Sequence, residues 1–146
     1  SSTYWTESVG PAAALATIEK MEKTRVWEHV AYIGETVKKD WAEAAKRHGV
    51  EVVCPGIPCF AHFAFSSNPL ELKTLYTALM LKEGFLANVG MYPTLAHNDE
   101  ILKIHREALD KVFAKIGEII KKGGKEAILE EIGGPVCQTG FARLLD

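Results

Sequence analysis

The sequence predicts an α+β fold in which a small, mainly antiparallel sheet of about three strands is covered by helices. Residues 50–65 (VEVVCPGIPCFAHFAF) contain two β-favouring runs whose side chains alternate with a period of two, and a proline-rich turn separates them. The remaining segments carry apolar residues at the three- to four-residue spacing of amphipathic helices. The resulting order is helix, helix, strand, strand, helix, strand, helix, helix, which is typical of an α+β domain.

The composition indicates a soluble globular protein. The 146 residues are 47% hydrophobic and 25% charged, with a net charge of −2, and this length is enough to bury a core. There is no basic cluster for nucleic acid and no apolar run long enough to span a bilayer. The odd number of cysteines (Cys54, Cys59 and Cys137) favours reduced thiols and a cytoplasmic location over a zinc site.

The chain starts with a polar segment and two predicted helices. Pro11 is tolerated in a first helical turn, and a helix is expected over residues 12–23. Its predicted buried stripe consists of Ala14, Leu15, Ile18 and Met21. Thr24 is expected to cap a longer second helix that ends at His48-Gly49. The apolar stripe of that second helix is predicted to comprise Trp27, Val30, Gly34, Val37, Trp41 and Ala44.

The two central strands are expected to form a hairpin-like pair with a long connection. Pro55 and Pro58 cannot donate to a β-ladder and therefore belong at strand ends. On the second strand, one face is predicted to consist of Cys59, Ala61, Phe63 and Phe65.

In the second half of the chain, the residues that begin two predicted helices are clear from their capping patterns. Asn68, Pro69 and Glu71 suggest a capping box, and the inner face of that helix is predicted to be Leu72, Leu75, Tyr76, Leu79 and Met80. A third strand is expected at residues 85–89 and a loop at 90–94. Asn98 is expected to cap the longest helix, whose stripe should be Ile101, Ile104, Ala108, Val112, Ile116 and Ile119, with a break at Gly123-Gly124 before a short final helix.

No catalytic motif can be recognised from residue types and spacing alone. There is no glycine-rich nucleotide loop, and no serine nucleophile motif. His29 and His48 are interpreted as solvated, His62 as a satisfied sheet histidine, and His105 as part of surface charge pairing with Asp110.

Two positions stand out. His97 precedes a helix cap in a loop, where a structural role with its ring bonded to a backbone carbonyl is favoured over a functional one. Ser2 and Thr3 precede a helix, where hydroxyl groups can hold a phosphate, but from the residues alone a disordered terminus is favoured.

Several segments together resemble the C-terminal portion of class III pyridoxal-phosphate (PLP) aminotransferases, and in particular the glutamate-1-semialdehyde aminomutases. Thr3 precedes the motif LATIE (residues 15–19) at the interval seen in that family. Met80-Leu81, Gly84, Ala96-His97 and Asp99-Glu100 keep the register of a second family stretch, and the motif GIP at residues 56–58 is also similar. The resemblance covers nearly the whole chain up to about Gly123.

The resemblance implies the small domain of a fold-type-I enzyme that closes the active site. Residues 1–24 would be the loop and helix that leave a large PLP-binding domain missing from the chain, and 25–146 would be the small domain. The family's counterpart of Thr3 contacts the cofactor phosphate of the neighbouring subunit in a homodimer, and we extend that role to Ser2. The substrate would be a small amino compound, and the reaction a transfer of the amino group or an aminomutase isomerisation.

Two departures from the family affect this interpretation. The family's Ser-Gly-Asn-Pro is replaced by Trp5-Thr6-Glu7-Ser8, and neither Arg106 nor Arg143 matches a substrate-carboxylate arginine. The Schiff-base lysine is expected upstream of this chain, and a start at Ser-Ser-Thr without methionine agrees with a missing N-terminal part. No catalytic residue is therefore expected here, substrate-binding residues remain unknown, and the chain alone should be inactive.

Two alternatives remain. One is a non-catalytic α+β module for dimerisation or regulation. The other is a metal protein that uses His62, His97 and the cysteines. The enzyme interpretation also predicts an exposed apolar patch on the helix 12–21 and Trp5, where a large domain would dock.

Overall fold

The computed structural model describes residues 3–138 and confirms a helix-rich α+β fold with small antiparallel ladders. Its helices are α1 (Val9–Thr24), α2 (Val26–His48), α3 (Pro69–Lys82) and α4 (Asp99–Ile132). Its strands are β1 (Val52–Val53), β2 (Ala61–His62), β3 (Ala64–Phe65) and β4 (Gly90–Met91), and a 3-10 turn at Pro58–Phe60 precedes β2.

The strands form two separate two-stranded ladders. β1 pairs antiparallel with β3 (Val52 opposite Phe65), as the predicted hairpin requires. β2 pairs instead with β4 (His62 opposite Gly90), because the 3-10 turn and Phe63 divide the second predicted strand. The alternation of that strand is confirmed for Ala61, Phe63 and Phe65, which are buried, but it is wrong for Cys59, which lies in the 3-10 turn and is exposed.

The predicted third strand at residues 85–89 is wrong, because the strand lies at Gly90–Met91, within the predicted loop. The Asn88 side-chain oxygen accepts the Val89 N–H at 2.7 Å, which withdraws that donor from any ladder. The Val89 carbonyl still pairs with the segment beside it, where it accepts the Phe63 N–H at 2.9 Å.

Aromatic rings form the centre of the core. Phe63 lies 4.9 Å from Trp41 and 5.2 Å from Tyr76 between ring centroids, and it meets Tyr76 edge to face, the geometry that aromatic pairs prefer. Phe65 and Phe113 pack around the same group. This cluster joins the strands to α2, α3 and α4.

The helix stripes are confirmed in their centres and wrong at their ends. The predicted inner face of α3 is buried in full. On α2, Trp27 is exposed, and on α4, Ile101 and Ile104 are exposed while Leu102 and Leu109 are buried. The predicted α4 stripe is one position off in its first two turns, where isoleucines and leucines offer two competing apolar faces.

Helix caps give a mixed outcome. The Asn98 side chain accepts the Ile101 N–H at 2.9 Å, which confirms the predicted cap of α4. Asn68 is the N-cap of α3, but its left-handed backbone (φ 43°) leaves its side chain without a cap hydrogen bond. Thr24 ends α1 instead of capping α2, and its hydroxyl donates to the Lys20 carbonyl.

The apolar side of α1 is exposed. None of its residues is buried, and Leu15, Ile18 and Met21 are 63%, 54% and 44% exposed, so the predicted buried stripe is wrong for this chain. Trp5 is 82% exposed. This surface agrees with the predicted apolar patch. None of the helices within residues 3–138 is long and apolar enough to cross a membrane.

Candidate functional site

Two hydrogen bonds, one from a histidine and one from a tyrosine of α2, hold the loop between β4 and α4. The His29 Nε2–H donates to the His97 carbonyl at 2.8 Å, and the Tyr32 hydroxyl donates to the Asp99 carboxylate at 2.8 Å. The Asp99 carboxylate raises the pKa of Tyr32, because it holds the phenolic proton. The loop therefore has a defined position at the start of α4.

The ring of His97 is fixed in one orientation and one tautomer. The Thr94 backbone N–H donates to His97 Nδ1 at 3.0 Å, and the Thr94 hydroxyl lies 3.0 Å from the same nitrogen. Because a backbone amide can only donate, Nδ1 is the acceptor, and the neutral ring carries its proton on Nε2. The predicted bond from this ring to a backbone carbonyl is therefore wrong.

Beside this loop lies a cavity of about 330 Å³. Its walls come from α2, α3, the segment 85–92 and the first two turns of α4, and they include Val37, Phe85, Met91, His97, Leu102 and His105. The lining contains no Lys, Arg, Asp or Glu among the residues that the structure describes. This volume lies at the low end of the range for small-molecule sites.

Polar atoms without partners lie around this cavity. Trp41, Tyr76 and His105 contribute to its walls. Trp41 Nε1, Tyr76 Oη and His105 Nδ1 are buried and make no hydrogen bond of ordinary geometry to a described residue, although the Trp41 indole N–H lies close enough to Tyr76 Oη to oppose part of the effect of burial on its pKa. Burial raises the pKa of Tyr76 and lowers the pKa of His105. Both groups are therefore neutral near pH 7, and the walls carry little charge.

An aromatic stack borders the outer side of the same segment. The Tyr92 ring stacks on Phe60 with centroids 4.5 Å apart and planes 15° apart, and Tyr92 is 69% exposed. The His62 ring also packs against Phe60, with ring centroids 5.3 Å apart. His62 is thus a sheet-face histidine, in line with the prediction.

The remaining histidines lie elsewhere than predicted. His29 and His48 are part-buried instead of solvated: His29 binds the loop, and His48 Nε2 lies 2.8 Å from Asp110. His105 is interior and packs edge-on against Phe85, so its predicted surface pairing with Asp110 is wrong. Helix periodicity could have shown this, because His105 and Asp110 are five residues apart and face different directions.

Arg106 has a structural partner. Its Nε donates to the buried Asp40 carboxylate at 2.8 Å, which raises the pKa of Arg106. An arginine paired in this way neutralises a carboxylate inside the domain. Arg143 lies outside the described residues.

The two predicted phosphate ligands are at the edge of the described chain. Thr3 is exposed and begins the turn 3–6 ahead of α1, and Ser2 lies outside the described residues. The first turn of α1 contains no acidic residue, although Glu7 lies one position before the N-cap Ser8; a helix N-terminus carries a partial positive charge. The described hydroxyl and helix end are chemically suited to a phosphate.

A metal centre is not supported by the described part of the chain. Across residues 3–138, His, Cys, Asp and Glu side chains form no group of three that could hold a metal ion. His62 and His97 lie in different surroundings, one on the aromatic stack and the other at the cavity.

The chain is similar in sequence to aminotransferases. It is 31% identical over 113 residues to 2'-deamino-2'-hydroxyneamine transaminase from Streptomyces kanamyceticus, a match that covers 74% of the chain and 29% of that relative. It is 27% identical over 130 residues to 3-aminobutyryl-CoA aminotransferase from Cloacimonas acidaminovorans (strain Evry), covering 82% of the chain and 30% of that relative. No family model matches the chain.

The chain thus resembles these aminotransferases over 74% to 82% of its own length. Its fold is that of a solved member of the PLP enzymes, the FumI protein of Sphingopyxis sp. MTA144 in its PLP internal aldimine form. The two superpose with a TM-score of 0.69 at 22% identity, over 78% of this chain and 28% of that one. The fold is therefore that of the C-terminal domain of a fold-type-I enzyme. The chain spans about 30% of the length of these aminotransferases.

Proposed function

We propose that the chain acts as the C-terminal part of a PLP-dependent aminotransferase or aminomutase that acts on an amino acid or an amino-aldehyde or keto substrate. The observation that carries this proposal is the sequence similarity to aminotransferases over most of the chain. The shared fold with a PLP enzyme supports it. In that role the domain closes the active site of the complete protein.

Thr3, together with Ser2, is proposed to bind the cofactor phosphate of the neighbouring subunit in a homodimer. Thr3 is exposed ahead of a helix whose first turn lacks acidic residues. A hydroxyl donor and a helix N-terminus both favour a dianion. When bound, PLP supplies the electron sink for the chemistry at the amino carbon, while these residues would hold its position.

The remaining catalytic groups are proposed to come from a large domain. An aminotransferase needs a lysine that bonds the cofactor and a carboxylate on its ring nitrogen. Among the described residues, the cavity between α2, α4 and the segment 85–92 is lined by neither a lysine nor a carboxylate. We expect the isolated chain mixed with PLP to show no visible absorption band of lysine-bound cofactor, and such a band would refute this division of labour.

The phosphate contact is tested in the complete protein that contains this chain. Thr3→Val removes the hydroxyl at nearly constant volume, and we expect it to weaken PLP binding about tenfold or more, because hydrogen bonds to charged groups contribute about 1.5–3 kcal/mol. Thr3→Ser retains the hydroxyl and should bind normally. Thr6→Val, in the same turn, is the control for local structure. Equal PLP dissociation constants for Thr3→Val and Thr3→Ser would contradict the proposed contact.

The alternative of a regulatory or dimerisation module without chemistry makes the opposite prediction. Such a module would bind no cofactor in any assembly, so titration of the complete protein with PLP separates the two functions. The Thr3 test is informative only after that titration is positive.

A further inference from the structure

We infer that the cavity between α2, α4 and the segment 85–92 binds a small uncharged molecule through an acceptor oxygen, and that His97 donates the recognising hydrogen bond. This site is separate from the proposed phosphate contact, because none of its lining residues lies within residues 3–26. The inference therefore does not depend on the proposed function.

The donor is set by the loop geometry. The Thr94 N–H occupies His97 Nδ1 at 3.0 Å, so the neutral ring has its proton on Nε2. The His97 carbonyl is held by His29 at 2.8 Å, which fixes the backbone of the same residue. His97 Nε2 has no hydrogen-bond partner among the described residues, and His97 lines the cavity. A positioned donor without a partner favours an acceptor on the ligand.

A second donor is created in the same way at Asn88. Its side-chain oxygen accepts the Val89 backbone N–H at 2.7 Å, which places the amide NH₂ at the opposite end of the group. Asn88 also lines the cavity and is exposed. In both His97 and Asn88 the acceptor atom of the side chain therefore binds a backbone N–H, and the donor group remains available to a ligand.

The walls determine the rest of the ligand. The lining is mainly apolar and aromatic and includes no Lys, Arg, Asp or Glu among the described residues, so a charged ligand would lose its hydration without gaining a counter-ion. Trp41 Nε1 and Tyr76 Oη are sealed within the wall, so they contribute surface and not recognition. These features favour a compact alicyclic or aromatic body with one carbonyl oxygen.

Cyclohexanone and methylenecyclohexane form a matched pair of probes, because they differ only in the replacement of the carbonyl oxygen by a CH₂ group. Each is titrated into the ¹⁵N-labelled chain without cofactor, and the indole N–H resonance of Trp41 and the ring nitrogens of His97 are followed by NMR. We expect both signals to shift with cyclohexanone, which should bind roughly two- to tenfold more tightly than the alkene, the effect of one neutral hydrogen bond.

The variant His97→Asn places an oxygen where Thr94 N–H needs an acceptor and removes the donor at Nε2. We expect it to abolish the preference for the ketone while alkene binding persists. His62→Asn, on the aromatic stack outside this cavity, should retain the preference. Equal binding of the two probes by the unmodified chain, no shift of the Trp41 indole, or an Nδ1–H tautomer of His97 would overturn the inference, and these three measurements need no variant.

Discussion

At the scale of single residues, the interior His105 is expected to make the stability of the core depend on pH. Its imidazole is interior, packs edge-on against Phe85 with centroids 5.5 Å apart, and its Nδ1 has no hydrogen-bond partner within residues 3–138. Burial lowers the pKa of His105 below the ordinary value of 6.5, although the Asp40 carboxylate opposes this effect. Arg106 acts in the same direction as burial, because its positive charge disfavours a second cation nearby, and the neighbouring His97 adds to this effect.

This lowered pKa predicts that stability falls in mild acid. Between the unfolded pKa near 6.5 and the lower folded pKa, the unfolded chain binds the proton of His105 more strongly. The free energy of unfolding should therefore decrease as the pH falls below about 6.5 and level off below the folded pKa. Urea unfolding at a series of pH values measures this slope, and His105→Phe should reduce it.

Phe85→Leu is the matched control, because it alters the same ring contact without adding or removing a titratable group. It should lower stability by a similar amount at every pH and leave the slope intact. A slope that is the same in His105→Phe and the unmodified chain would show that His105 stays neutral in both states or protonates equally in both.

The histidines also show why site residues were harder to predict than core residues. The burial of Leu72 or Tyr76 can be predicted from the residue type and its position in the helical period. The role of a histidine depends instead on which partner the fold brings near it. His29 and His97 are 68 positions apart and meet through one hydrogen bond, and no local pattern contains that information. The family resemblance indicated the segment around Ala96-His97 but not the tautomer or the cavity.

At the scale of elements, the break in α4 at Gly123-Gly124 is the clearest case of a sequence signal with one structural meaning. Gly124 has φ 57° and ψ −132°, a conformation open to glycine and costly for other residues. The segment after the break returns to the domain, where Lys125 pairs with Glu71 of α3 at 2.7 Å and Ile128 is fully buried.

We therefore expect Gly124→Ala to destabilise the chain by about 1–3 kcal/mol, the usual cost of a strained backbone conformation. Gly123→Ala is the control: its φ of −169° is accessible to any residue, and the added Cβ would lie 3.2 Å from the Ala127 Cβ, a close contact that requires a shift of a few tenths of an ångström. Chemical denaturation of both variants measures the difference. A loss for Gly123→Ala equal to that for Gly124→Ala would locate the constraint in packing instead of backbone conformation.

The strands were less predictable than the helices for a physical reason. A helix satisfies its hydrogen bonds within one segment, so its period and caps are local. A strand takes its partner from elsewhere, and here Asn88 competes for the Val89 N–H and moves the pairing to Gly90–Met91. The alternation of Ala61, Phe63 and Phe65 correctly predicted which face is buried, but not that two different partners share it.

At the scale of the whole molecule, α1 packs little against the rest of the described chain. Its mainly apolar face is exposed although its sequence has the stripe of a buried helix. The sequence predicted both that the stripe is designed for burial and that this chain leaves it uncovered. In the proposed complete enzyme, a large domain would cover it.

This exposure predicts that α1 can be made polar without loss of stability. The double variant Leu15→Lys and Ile18→Lys should change the free energy of unfolding by less than about 0.5 kcal/mol, the usual limit for surface substitutions. It should also reduce binding of the dye ANS to the folded chain, because a contiguous apolar surface is removed. Leu72→Lys, which inserts a charge into the fully buried face of α3, is the contrasting variant and should prevent folding. If the α1 variant instead unfolds at markedly lower urea, the helix must be packed by its own chain in solution, and the surface proposed for a large domain would already be occupied.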